Sequence, residues 1–162
     1  MRHAAWLAAL LFSCGHAAAP PPSAPSALLE KPAPNIERRA LDGSTVSTTA
    51  LQGRPVLIEF FAEHCKPCLK SLPALAALAD AVPELVIVGV SEDDDEATAA
   101  RLKAELGLGF SVIHDRGHVL AGRYRVVDLP ATFVLDPRGN VRWYGDRAHE
   151  AAELERVLEV TR

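Results

Sequence analysis

Residues 56–73 read VLIEFFAEHCKPCLKSLP, and their order decides the architecture. Val56 to Ala62 is nearly all apolar, which suits a central strand covered on both faces. Beyond it, Leu69, Leu72, Leu75, Leu78 and Val82 recur at helical spacing. A helix is therefore expected from Lys66 to Ala81, with a kink near Pro73. Cys65 and Cys68 fall where the strand gives way to this helix. A thiolate there meets unpaired backbone N–H groups and the positive end of the helix dipole, and both favour the anion. Lys66 and Lys70 add positive charge nearby, as does His64 when protonated. One helical turn carries the second cysteine towards the first. A thiolate attacking a substrate disulfide forms a mixed disulfide, which the second thiol resolves.

The rest of the chain surrounds this unit with alternating elements. Ile36 to Leu41 reads as a strand, Asp42-Gly43 as a turn, and Thr45–Ser47 as its return. ELVIVGVS (Glu84 to Ser91) is a second buried strand. The acidic run Glu92 to Glu96 leads into a helix ending near Leu106, its charges complementing the helix dipole. A calcium role for that run is disfavoured, because its density does not match an EF-hand loop. FSVIHD is a third strand, and HVLAGRYRV a short helix and return. ATFVLD and VRWYG form a hairpin through the turn DPRGN. HEAAELERVLEV closes the chain as an amphipathic helix with Ala151, Leu154, Val157 and Leu158 on one face. This order predicts one α/β domain with a mixed central sheet flanked by helices.

The chain has 162 residues, 49% of them hydrophobic, and a formal charge of -4. That allows one domain with a sizeable core. With no long basic run, nucleic acid is not an expected partner. At the N-terminus, Arg2 precedes an apolar stretch from Ala4 to Phe12. The stretch is too short to span a bilayer but suits an export signal, in preference to a buried helix. Leu11-Phe12-Ser13-Cys14 resembles a bacterial lipobox, with Cys14 as the lipidated residue, although Phe12 is bulky for that place. The alternative is ordinary cleavage after Ala17-Ala18-Ala19, which would put Pro20 directly after the cut. Residues 1–19 are thus read as the export signal, of lipoprotein type ending before Cys14. Residues 20–34, rich in Pro, Ala and Ser, are read as a linker, and residues 35–162 as the domain. Either route places the domain outside the cytoplasm, in a bacterial periplasm or cell envelope, where disulfides form. Cys65 and Cys68 are then the remaining thiol pair.

Three uses of such a pair compete. A structural disulfide closing so short a loop would constrain the unfolded chain little. A structural zinc site ordinarily needs four ligands, and no second CxxC exists. Redox exchange fits the placement between strand and helix. No cofactor beyond a redox-active disulfide is expected.

FFAEHCKPC, GVSEDDDEA and DLPATFVLDPRG together resemble segments of the thioredoxin-like superfamily, in particular the TlpA/ResA-type membrane-tethered thiol-disulfide oxidoreductases. The likeness covers residues 35 to 160. It implies a thioredoxin-like fold, Cys65 as the nucleophile, Cys68 as the resolving thiol, and Pro130 as a cis-proline facing them. Glu59, six residues before Cys65, occupies the position of the buried acid in ordinary thioredoxins and would move a proton to or from Cys68. The competing reading of Glu59 is an acid on a strand surface.

The chain also departs from the pattern. His64 replaces the usual tryptophan before the first cysteine, exchanging an aromatic cover for a smaller, ionisable ring. Ser71 stands where relatives with CxxCxxExP carry glutamate. Lys66 and Pro67 form the dipeptide between the cysteines, and these four residues are expected to tune the site. The resemblance implies exchange with protein thiols or disulfides, in the reductase direction, supported by a membrane redox donor or acceptor. A copper-binding or copper-delivery module would use Cys65, Cys68 and a histidine, either His64 or one of His114, His118 and His149. Its thioredoxin-like precedents carry CxxxC, however, and this chain has CxxC. Peroxidase chemistry lacks a cysteine motif outside CKPC.

Overall fold

The structure, a computed structural model, describes residues 26–145. The leader with Cys14, the first part of the linker, and the closing helix expected over 149–160 lie outside the described residues. In chain order the elements are β1 (Glu37–Arg39), β2 (Thr45–Ser47), β3 (Val56–Phe61), α1 (Lys66–Ala81) and β4 (Val86–Ser91). They continue with α2 (Glu96–Glu105), β5 (Ser111–His114), α3 (Val119–Tyr124), β6 (Ala131–Leu135) and β7 (Val141–Gly145).

Five strands form a mixed sheet in the order β5-β4-β3-β6-β7. β3 lies at its centre, parallel to β4 and antiparallel to β6. All six residues of β3 are buried, as its unbroken apolar run predicts. Alternation along the strand sends successive side chains to opposite faces. Val56, Ile58 and Phe60 join one core with Leu120 and Tyr124 of α3, with Val46 of β2 and with Ile36 just before β1. Leu57 and Phe61 join the other, with Leu72, Leu75 and Leu78 of α1 and Leu102 of α2. The thioredoxin-like α/β expectation, a mixed sheet with helices on its faces, is met.

Local chemistry sets several boundaries. Asp95 caps α2, its carboxylate accepting the Thr98 N–H at 2.8 Å, which ends the acidic run as a helix start. Gly139 takes φ 83° in the β6-β7 turn, where an L side chain would be strained. Gly89 of β4 has a different constraint. A Cβ there would lie 3.0 Å from Phe61, 3.1 Å from Phe110 and 3.2 Å from Val112.

Three expectations change in detail. The first strand contracts to Glu37–Arg39 because the Leu41 N–H turns to the Val112 carbonyl at 2.8 Å. β4 begins at Val86 because Leu85 is in a turn, its N–H bonded to the Val82 carbonyl at 3.0 Å. Residues 26–34, read as linker, lie against the domain. Leu28, Leu29 and Ala33 pack on the core. The N–H groups of Glu30 and Ala33 donate to the carbonyls of Val141 and Gly139, at 2.8 and 2.9 Å. α1 runs from Lys66 to Ala81 with Pro73 inside it.

Candidate active site

β3 delivers the chain to the site. Its last residue, Phe61, is followed by Ala62, Glu63 and His64, and Cys65 then caps α1. The Cys68 N–H donates to Cys65 Sγ at 3.2 Å. Cysteine here does what Ser or Asp does at other helix starts, satisfying a first-turn N–H that the helix leaves unpaired. Pro67 lies in that first turn, where its missing N–H costs little. Cys65 and Cys68 form a disulfide with Cα atoms 5.2 Å apart. Cys65 retains 6% exposure and Cys68 none, so the first sulfur is the one nearer solvent. His64, Lys66, Pro67 and Lys70 are exposed around the pair.

Leu129–Pro130 is a cis peptide bond, as the resemblance implied, and Pro130 is buried. It immediately precedes β6, whose Ala131 pairs with Phe60. The antiparallel register therefore puts Pro130 at the same end of the sheet as the residues leading into Cys65.

Glu59 is 1% exposed, which excludes the reading of a surface acid. It sits between Gly89 of β4 and Thr132 of β6, on the face that α1 covers. Ser71 Oγ of α1 donates to Glu59 Oε1 at 3.1 Å, and Thr132 Oγ1 donates to Oε2 in a short hydrogen bond. The same Ser71 hydroxyl lies 3.1 Å from the Cys68 carbonyl oxygen. Burial pushes the Glu59 carboxyl up from its ordinary 4.5 to about 7, while the two hydroxyl donors pull the other way. Glu59, Ser71 and the Cys68 backbone are thus brought into one connected group.

Thr132 escaped the sequence reading. Its only signal was a hydroxyl within the buried run ATFVL, and nothing local says which residue of β3 it faces. Ser71 stands where relatives carry glutamate, yet its position is defined by contact with Glu59.

The acidic run has structural duties at the same end of the sheet. Asp93 Oδ1 accepts the Glu63 N–H at 2.8 Å, and Ser91 Oγ donates to Asp93 Oδ2 at 2.8 Å. Glu92, pushed up to about 7 chiefly by burial, meets His118 Nδ1 at 2.6 Å. Glu92, Asp93, Asp94 and Asp95 line a cavity of about 380 Å³ with Glu63 and His64. Of the histidines considered as copper ligands, His114 Nε2 is bonded to the Asp93 carbonyl oxygen at 2.9 Å; His149 lies outside the described residues. Among the described residues, no three His, Cys, Asp or Glu side chains are arranged to hold a metal ion. No helix among them is long and apolar enough to cross a membrane.

Comparison with known proteins agrees with this geometry. The thiol-disulfide oxidoreductase ResA of Bacillus anthracis is 31% identical over 113 residues, 68% of this chain and 65% of that protein. The chain therefore spans just under two thirds of that relative's length. ResA of Bacillus cereus is 30% identical over 127 residues, 76% of this chain and 73% of its own. Among solved structures, a secreted Mycobacterium tuberculosis disulfide oxidoreductase homologous to E. coli DsbE superposes with a TM-score of 0.70 at 23% identity. That match covers 77% of this chain and 95% of the other. Residues 29–144 match the model of the AhpC/TSA family. That match spans every described strand and helix but the last residue of β7, so the chain belongs to the AhpC/TSA family, within the thioredoxin-like superfamily, as a relative of the bacterial ResA proteins.

Proposed function

We propose that this protein is a thiol-disulfide oxidoreductase that exchanges disulfides with protein substrates outside the cytoplasm, acting as a reductase. The observation that carries the reading is the Cys65–Cys68 disulfide at the first turn of α1. Resemblance to the ResA thiol-disulfide oxidoreductases supports the activity.

The chemistry starts from the reduced pair. The Cys65 thiolate attacks one sulfur of a substrate disulfide, forming a mixed disulfide and releasing the other substrate sulfur as a thiolate. The α1 N-terminus and the Cys68 N–H stabilise negative charge on Cys65 Sγ. Cys68, as thiolate, then attacks Cys65 Sγ. The second substrate sulfur leaves, and the Cys65–Cys68 disulfide remains. Two electrons pass from the protein to the substrate. Glu59 takes up the Cys68 proton as that thiol becomes the attacking group, and its raised affinity for a proton near pH 7 suits that task. Pro130 aligns the bound substrate chain beside the sulfurs. His64, Lys66 and Pro67, exposed around Cys65, tune potential and substrate charge preference.

A membrane redox donor returns the pair to the dithiol. Export through the leader, with a lipid on Cys14, holds the protein at a bacterial membrane facing the periplasm or cell envelope. The test is reduction of insulin by the reduced protein, together with a glutathione redox titration of Cys65–Cys68. Catalytic insulin reduction, a low potential, and trapping of mixed disulfides by Cys68→Ser are expected. No exchange with protein disulfides would sink the activity. A potential near those of strong oxidants would overturn the direction.

A further inference from the structure

The Ser71 hydroxyl has one proton and two acceptors within reach, Glu59 Oε1 and the Cys68 carbonyl oxygen, both at 3.1 Å. Its single proton can point fully at only one of them, or be shared weakly between both. When Glu59 is ionised, its carboxylate is the stronger acceptor and takes the Ser71 proton. When Glu59 is protonated, its own O–H can donate to Ser71 Oγ, and the Ser71 proton turns to the Cys68 carbonyl. The hydroxyl thus has two settings, selected by the charge on Glu59. Each setting presents a different hydrogen-bond pattern to the first turn of α1, which carries both sulfurs.

Among the described residues, no charged side chain is a cause of the Glu59 shift. The groups acting on the Glu59 carboxyl are burial itself, Thr132 from β6 and Ser71 from α1. Its neighbour on β4 is Gly89, which has no side chain. Ser71 is itself buried, at 8% exposure, so bulk water does not substitute for it freely.

We infer that Ser71 is a positioning residue that couples the charge on Glu59 to the Cys68 backbone through a single hydroxyl rotor. The inference deepens the proposed function and rests on it for its catalytic meaning. The coupling itself can be read without turnover.

The experiment compares the wild type, Ser71→Ala and Ser71→Thr. Glu59 titration is followed by carbon-detected NMR of its side-chain carboxyl in the oxidised protein. Loss of a hydrogen bond to the charged form should raise the Ser71→Ala midpoint by about one pH unit, and Ser71→Thr should return it. In the reduced protein, Glu59→Gln should shift the Cys68 thiol titration in the wild-type background and much less in Ser71→Ala. An unmoved Glu59 midpoint in folded Ser71→Ala would overturn the coupling, as would an unchanged effect of Glu59→Gln on Cys68 in that background. Inactivity towards insulin would instead count against the exchange reading, leaving the carboxyl titration as an independent result.

Discussion

Replacing Glu59 by Gln should stabilise the oxidised protein in a pH-dependent way. Glu59 is buried between β4 and β6 and meets two hydroxyls. Its carboxyl is raised from 4.5 in the unfolded chain to about 7 in the fold. The folded state therefore holds the proton more tightly than the unfolded state does. That preference contributes stability in full below pH 4.5. It is lost as pH rises through about 7, where the buried group must ionise. At roughly 1.4 kcal/mol per pH unit, the loss amounts to about 3 kcal/mol. Glutamine has the same shape and no charge to bury, and both hydroxyls can rotate to suit its amide. The difference in unfolding free energy between Glu59→Gln and wild type should thus grow by about 3 kcal/mol between pH 4 and pH 8. Urea unfolding of the two oxidised proteins at matched pH measures it, because other titrating groups cancel in the difference. A difference that stays constant across that range would refute the argument that Glu59 ionises at a cost inside the fold.

Other substitutions test the frame around the site. Gly89→Ala places a Cβ against Phe61, Phe110 and Val112, and should cost about 1–3 kcal/mol in urea unfolding; a neutral result would mean that those side chains have room to move. Asp115 is buried and accepts the N–H groups of Leu120 and Ala121 at 2.7 and 2.9 Å. Asp115→Ala should cost about 2 kcal/mol, and Asp115→Asn less, because its side-chain oxygen still accepts; equal losses would show that the carboxylate charge, not the acceptor, matters. His64→Trp exchanges an exposed imidazole beside Cys65 for a larger aromatic ring, and should shift the Cys65–Cys68 potential by about 10 mV. Glutathione titration would read no change if His64 is electrostatically idle.

The sequence revealed what local pattern controls. The apolar run Val56 to Ala62 marked the central strand, and leucine spacing marked α1 to its observed ends. Two cysteines between them marked the site. Long-range pairing was less legible. Register places Thr132 opposite Glu59 across 73 residues of chain, and no spacing rule reports it. Ser71 and Glu59 likewise meet only because α1 folds back over β3. Residues 26–34 read as a spacer because Pro, Ala and Ser dominate their surroundings. Their structure comes from bonds to the β6-β7 turn and the start of β7, more than a hundred residues away. α3 was visible as a short helix, but its left-handed flanks at His118 and Arg125 were not, since neither is a glycine.

The docking of residues 30–33 beside Gly139 and Val141 has a consequence for orientation. Val141 starts β7 opposite Leu135, at the end of β6, and Leu135 in turn faces Val56, at the beginning of β3. Cys65 lies beyond the other end of β3. The chain therefore enters the fold at the pole remote from the sulfurs, with a strand length of about 20 Å between the two levels. A bulky partner fused ahead of residue 26 would pull from the back of the molecule and leave the redox pole facing outward.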